Sequence, residues 1–244
     1  MSPCATRLCW RVALLCASLG LAGPAIAFEL EPSADFDILV GKSTYSAIGL
    51  TVGQEVSEKW TLQGRLTFSF LTFQIERDHR TVAAEAPAAR PLLGVKYEFT
   101  PDISLTVFGG GQIKETRFFG EHRRWRNDNG AVAQLEFDGR VTKTIDLSAA
   151  YSYSSGDDTH WSRLAFRREL LTFGQEKQSG LGLGMEAVGS VGRDFTEERV
   201  GLLLDLQHKP TETELVFGIG VGHFSPTSGN GIAPYLSVNF LRRF

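Results

Sequence analysis

Apolar and polar residues alternate along almost the whole chain from residue 34 to its end. In one stretch, Leu202, Leu204 and Leu206 are separated by Leu203 and Asp205. A period of two places successive side chains on opposite faces of an extended strand. The pattern predicts about twelve strands, at 35–41, 44–56, 60–76, 90–99, 103–116, 130–141, 144–154, 159–171, 180–190, 197–208, 213–224 and 232–244.

The predicted connections alternate in length. Tight turns are predicted at 57–59, 100–102, 142–143 and 209–212, and longer loops at 77–89, 117–129, 191–196 and 225–231. Outer-membrane barrels alternate short periplasmic turns with long external loops in this way. With an even number of strands, both termini and the tight turns fall on the periplasmic side. Two connections, 155–158 and 172–179, depart from the expected lengths.

One face of each predicted strand is apolar, whereas the other carries charged residues and glycines. A soluble β-sandwich with a two-sided core is the alternative, but strands near ten residues favour an all-β, antiparallel transmembrane β-barrel of about 12 strands. The charged face would then line the lumen. The predicted lumen-lining residues are Arg65, Lys96, Glu98, Glu136, Asp138, Arg163, Arg167, Glu186, Arg199 and Asp205.

The first 27 residues have the three regions of a secretory signal peptide. Arg7 and Arg11 precede an apolar run over residues 12–21, and Ala25-Ile26-Ala27 forms a cleavage site. We therefore predict a signal peptide over 1–27, cleaved after Ala27, and one barrel domain over 28–244. The predicted mature chain has no disulfide and no thiolate metal site, because it lacks the three cysteines of the chain, Cys4, Cys9 and Cys16.

Removal of the predicted signal peptide leaves 23 basic and 28 acidic residues. This acidic balance argues against nucleic acid as a partner, since nucleic-acid binding needs clustered basic residues. The expected location is the bacterial outer membrane, and the expected partners are its lipids. No cofactor is predicted.

Three segments are candidates for chemistry or binding. His223-Phe224-Ser225 resembles the His-x-Ser pair of outer-membrane lipid A deacylases, but no Asp or Glu follows it to orient the base. The stretch 157–160 holds two carboxylates and a histidine, and turn chemistry at Gly156-Asp157 favours a hairpin loop over a metal site. The predicted external rim has Arg and Trp side chains suited to phosphates and sugar rings, and its candidate residues are Arg123, Arg124, Trp125 and Arg126.

The last strand, from Gly231 to Phe244, ends on an aromatic residue and resembles the closing strand of bacterial outer-membrane barrels. The chain as a whole is similar to the BcsS-type family of cellulose biosynthesis proteins. Segments that carry this resemblance are Asp37-Ile38-Leu39-Val40-Gly41, Tyr45-Ser46-Ala47-Ile48-Gly49, Tyr151-Ser152-Tyr153, Trp161-Ser162-Arg163, Arg199-Val200-Gly201-Leu202, and Gly231, Pro234-Tyr235-Leu236 and Phe244.

The resemblance implies a non-enzymatic barrel accessory to the biosynthesis or export of an exopolysaccharide such as cellulose. Cellulose itself or components of the cellulose synthase complex would then be its partners. Two alternatives stay open, an outer-membrane lipid hydrolase using His223 and Ser225 and a general porin. Eight strands fill a barrel with side chains and 16 leave an open channel, so twelve do not decide whether the lumen conducts.

Overall fold

The computed structural model describes residues 28–77, 80–119, 124–174, 178–193, 195–226 and 231–244, which form one antiparallel sheet closed on itself. The predicted signal peptide and Arg123 lie outside the described residues. The strands are β1 (Phe28–Leu39), β2 (Ser43–Ser57), β3 (Trp60–Arg77), β4 (Arg80–Thr100), β5 (Ile103–Phe119), β6 (Arg124–Asn127), β7 (Gly130–Thr142), β8 (Ile145–Ser154), β9 (Thr159–Phe173), β10 (Ser179–Val191), β11 (Phe195–His208), β12 (Thr213–Pro226) and β13 (Gly231–Arg242).

Two pairings close the barrel. The first strand pairs with the last from Ser33↔Leu241 to Leu39↔Tyr235, and β4 pairs with β5. Each of twelve strands therefore has a neighbour on both sides, while β6 pairs with β5 alone in the described part of the chain. The prediction of an antiparallel barrel of about 12 strands is confirmed.

The predicted loop at 77–89 is wrong, because β4 begins at Arg80 and pairs with β3 from there onward. Because alanines and Pro87 give this segment no large alternating side chains, the apolar–polar alternation does not indicate a strand there. Likewise β1 begins at Phe28 and not at residue 35, and β6 lies within the predicted loop 117–129. The turn after β11 contains a short 3₁₀ helix, Lys209–Thr211. No helix within the described ranges is long and apolar enough to cross a membrane.

The outer wall is an apolar belt with aromatic residues at its edges. On β3, the outward side chains from Trp60 to Phe70 are largely apolar and exposed. Ten residues of strand tilted by about 40° span roughly 25 Å along the barrel axis, which is the height of the apolar band in this class of barrel. Trp60 packs on Tyr97 at 4.6 Å between ring centroids near one edge, and Tyr153 packs on His160 at 4.8 Å near the other.

The inner wall of β11 and β12 contains several glycines, and a tyrosine lies against them. Tyr235 of β13 faces inward and is 0% exposed. A Cβ atom on Gly201 would meet the Tyr235 hydroxyl, lie 2.8 Å from its ring carbon Cζ and lie 2.6 Å from the Ile219 carbonyl oxygen. These glycines therefore leave the space into which the tyrosine ring packs.

We expect Gly201→Ala to lower the free energy of unfolding by about 1–3 kcal/mol, because the added methyl overpacks the wall beneath Tyr235. The matched control is Gly109→Ala in β5, whose added Cβ meets no atom within 4 Å. The measurement is urea unfolding of each variant in lipid vesicles, followed by tryptophan fluorescence. Equal stability of the two variants would contradict the close packing.

Candidate functional site

The barrel interior holds the charged residues that the alternation assigned to the polar face. Within β11, Leu203 is 1% exposed and Asp205 is buried, whereas Leu202 between the strand's inward side chains is 61% exposed. Seven of the ten predicted residues line one central cavity, and these are Arg65, Glu136, Asp138, Arg163, Arg167, Glu186 and Arg199. Asp205 contacts this set through Arg167. Lys96 and Glu98 pair with each other at 2.7 Å, close to the β4–β5 turn.

Several ion pairs join strands that are not neighbours. Arg65 of β3 donates two hydrogen bonds to Glu136 of β7, at 2.5 and 3.0 Å. Arg167 of β9 forms an ion pair with Glu214 of β12. Each pair reaches over three strand steps of the barrel order. Charges inside a barrel are costly unless they are paired and hydrogen-bonded, so these contacts explain why the lumen can hold so many.

A second network links β1, β9, β10, β11 and β13. Arg199 pairs with Asp37 at 3.2 Å and with Glu197 at 3.1 Å. Elsewhere in the network, Glu186 accepts from Arg163 and from the Tyr235 hydroxyl, each at 2.9 Å. Asp37, Glu197 and Tyr235 were not among the predicted lumen residues, although their positions in the alternation place them on the same inner face.

An apolar cluster fills part of the lumen near the strand ends that the sequence predicts to be external. Phe73 of β3 and Phe195 of β11 lie 5.6 Å apart between ring centroids, although five strand steps separate their strands. Phe195 also stacks on Phe224, and Leu39 packs in the same cluster. Side chains from nearly opposite walls thus meet at this level of the barrel.

Beneath this cluster the lumen encloses a cavity of about 470 Å³. Its lining draws on nearly every strand and includes Tyr45 and Trp161 beside the charged residues. The cavity falls within the range of about 300–1,000 Å³ that is typical of small-molecule sites. Tyr45 and Trp161 belong to segments that carry the family resemblance, but neither was among the predicted lumen residues, which were chosen for their charge.

The described rim residues Arg124, Trp125 and Arg126 form strand β6, which extends the β5 hairpin. Trp125 is 63% exposed, and the guanidinium of Arg117 lies 4.8 Å from its ring centroid. Arg126 pairs with the buried carboxylate of Asp128 at 2.7 Å. We call Arg117 and Trp125 the rim platform. It lies about 13 Å along β5 beyond Ile113, an exposed apolar residue of the belt.

The hydrolase candidates His223 and Ser225 share the outward face of β12. The register pairs His223 directly with Glu198 of β11, an exposed acid on the same outward face. Directly opposed residues of antiparallel strands have Cβ atoms about 4.5–5.5 Å apart. The register thus places a carboxylate opposite His223 on the neighbouring strand, which the sequence alone does not reveal.

The hairpin loop at 155–158 carries a buried ion pair. Asp157 pairs with Lys114 of β5, and both side chains are less than a tenth exposed. Tyr153 donates to Asp158, and the Tyr151 hydroxyl contacts His160 Nδ1 at 2.6 Å. In the described part of the chain, no group of three His, Cys, Asp or Glu side chains is placed to hold a metal ion.

Comparison with known structures finds the same architecture in translocator domains of autotransporters. The translocator domain of autotransporter NalP from Neisseria meningitidis is similar at a TM-score of 0.52 and 11% identity, over 98% of this chain and 95% of that chain. The chain has the fold of an outer-membrane β-barrel. The β domain of the Bordetella autotransporter Brka is similar at a TM-score of 0.53 and 10% identity, over 91% of this chain and 100% of that chain. No protein-family model and no curated protein matches this chain.

The Lys114–Asp157 pair predicts a specific response to acid. Burial raises the pKa of the Asp157 carboxyl, but the adjacent Lys114 ammonium and hydrogen bonds outweigh burial and hold this pKa below its usual value. In the unfolded chain this carboxyl has a pKa of about 3.9, and in the folded barrel its pKa is lower. Its contribution to stability is fully present above that value and is lost as the pH falls through the folded pKa.

We expect Asp157→Asn to cost about 3–5 kcal/mol at pH 7, because Lys114 is left buried without its counter-charge. The loss of stability on acidification below about pH 4 should also shrink in this variant. Unfolding midpoints between pH 7 and pH 2 measure both effects. In the control, Asp146→Asn breaks the more exposed pair with Arg140 and should cost less than about 1 kcal/mol. Similar losses in both variants would contradict the prediction.

Proposed function

We propose that this chain is a non-enzymatic outer-membrane β-barrel accessory to the biosynthesis or export of an exopolysaccharide such as cellulose. In this proposal it reaches the bacterial outer membrane through a cleavable signal peptide and contacts outer-membrane lipids. Cellulose, or components of the cellulose synthase complex, are the proposed partners. The observation that supports the proposal best is the rim platform of Arg117 and Trp125.

The rim platform has the chemistry of a sugar-binding surface. The exposed face of Trp125 offers an apolar plane to a sugar ring, while its indole N–H and the Arg117 guanidinium offer donors to hydroxyl groups. Arg124 is also exposed on the same short strand. Because β6 continues the β5 hairpin beyond the apolar belt, this surface stands where a polymer outside the cell can reach it.

The lumen favours anchoring of the polymer over its passage. Phe73 and Phe195 meet from nearly opposite walls, and the ion pairs of Arg65 and Arg199 cross the space below them. A polysaccharide chain threaded through the barrel would have to displace these side chains and leave charges unpaired. We therefore propose that the barrel holds the polymer at its outer rim.

Deletion of the gene in a cellulose-producing strain should lower the cellulose retained by cells while the inner-membrane synthase stays present. The variant Trp125→Ala should weaken binding of soluble cellulose oligosaccharides to purified barrel by about two- to tenfold, since a packing contact with an aromatic ring contributes about 0.5–1.5 kcal/mol. The matched control is Trp60→Ala, which removes a partly exposed tryptophan at the start of β3, at the end of the barrel away from the rim platform. It should leave binding unchanged.

Unchanged cellulose after deletion would remove the polysaccharide assignment and leave the barrel. A general porin has the same fold, and single-channel conductance in planar bilayers decides between the two. A large, steady conductance would favour the porin and contradict the proposal that the polymer is anchored at a closed barrel.

The pairing of Glu198 with His223 favours a second candidate function, hydrolysis of a lipid ester at the membrane surface. The Ser225 hydroxyl would attack the ester carbonyl carbon and give its proton to the His223 imidazole, oriented by Glu198. The carbon–oxygen bond of the ester then breaks, and the leaving alcohol takes that proton. Water would release the fatty acid from Ser225 in the second half of the reaction.

For this candidate, purified barrel should release fatty acid from outer-membrane lipid, and Ser225→Ala should lower the rate more than about a thousandfold. Ser162→Ala changes an outward serine of β9 and should leave the rate unaltered. Fatty-acid release measured by mass spectrometry is the readout. Absence of release by the wild-type barrel, or equal rates in both variants, would reject the hydrolase.

A further inference from the structure

The central cavity ends below two clusters at the external side of the barrel. The first is the apolar cluster of Leu39, Phe73, Phe195 and Phe224, in which side chains from β3 and β11 are in contact. The second is the buried Lys114–Asp157 pair on the other side of the lumen. Leu39, Phe195 and Lys114 also belong to the lining of the cavity, so the two clusters close its external end.

At the opposite end, the lining reaches the periplasmic edge of the barrel. Arg243 and Glu31 line the cavity there and pair with each other at 2.8 Å. The Arg243 side chain is 58% exposed, so this end of the cavity meets solvent. The cavity is thus a pocket whose closed end faces the cell exterior and whose open end faces the periplasm.

The charges of the lining are nearly balanced. Eight carboxylates and seven basic side chains line the pocket, and most are already engaged with each other, as in the pairs of Arg65 with Glu136 and Arg163 with Glu186. A charged ligand would have to break such pairs, whereas a neutral ligand rich in hydroxyl groups can add hydrogen bonds to both partners. The lining therefore favours a neutral polyhydroxylated ligand.

Two cavity residues are suited to such a ligand. Trp161 faces the pocket and provides an aromatic plane. Asp35 also lines it, interacts electrostatically with Arg163 and Arg65, and forms no side-chain hydrogen bond within the described ranges. Its carboxylate oxygens can accept from sugar hydroxyls, and hydrogen bonds to a charged group are stronger than those between neutral groups.

We infer that this pocket is a periplasm-facing binding site for a short neutral saccharide, held by Trp161 and Asp35. The choice of a saccharide among neutral polyols rests on the proposed function, whereas the pocket and its mouth rest on the cavity alone. A volume of about 470 Å³ suits one or two sugar units and not a long polymer. The site is separate from the rim platform at the other end of the barrel.

The test uses the full mature barrel, refolded in detergent micelles and titrated with cellobiose by isothermal calorimetry. Wild-type protein should bind it, and Trp161→Ala and Asp35→Asn should each weaken binding by about tenfold or more. Cellobionic acid, the anionic analogue, should bind more weakly than cellobiose. Heat-dependent mobility on a denaturing gel shows for each variant that the barrel has folded.

The matched control is Trp60→Ala, which removes an outward-facing tryptophan of the apolar belt and should leave cellobiose binding unchanged. No binding by wild-type protein at about 10 mM cellobiose, or equal affinity in wild type and Trp161→Ala, would overturn the inference. Either result together with lower cellulose retention after gene deletion would reject the pocket alone. Unchanged retention together with binding at Trp161 would instead reject the proposed function.

Discussion

The closure of the sheet is the constraint on which the rest of this structure depends. Hydrocarbon offers no hydrogen-bond partners, so a strand at an open edge in a membrane would leave several backbone groups unsatisfied. Pairing of β1 with β13 and of β4 with β5 removes both edges. Once the barrel is closed, the alternation of each strand divides the side chains between the outer surface and the lumen. The lumen is narrow, so charged side chains from different strands come into contact there.

That narrow interior explains the chemistry of the lumen. Arginines reach over three strand steps to carboxylates, as Arg65 reaches Glu136 and Arg199 reaches Asp37. Such contacts offset the cost of removing charges from water. Glycines on β11 and β12 make room for the ring of Tyr235, whose hydroxyl joins the Glu186 network. Packing and charge pairing thus depend on each other in the same wall.

The two ends of the barrel differ in the ligands that they suit. The rim platform is exposed and basic, and it presents an aromatic face at one end of the barrel. The lining of the central pocket has nearly balanced charges, its volume is limited, and aromatic and paired charged residues close one of its ends. We propose both surfaces as saccharide sites, and they are separated by the side chains that meet in the lumen between them.

The sequence by itself determined the strands with strong alternation and the face on which each side chain lies, since the period of two is a local property of extended backbone. Leu202 and Leu203 follow it on opposite sides of the wall. The sequence pattern missed the start of β4, because the alanines and the proline there do not alternate between apolar and polar. The tertiary structure decided which residues meet: the contact of Phe73 with Phe195, the register pairing of His223 with Glu198 and the lining of the central pocket all join residues far apart in the chain. These contacts follow from register and closure, which no single strand encodes.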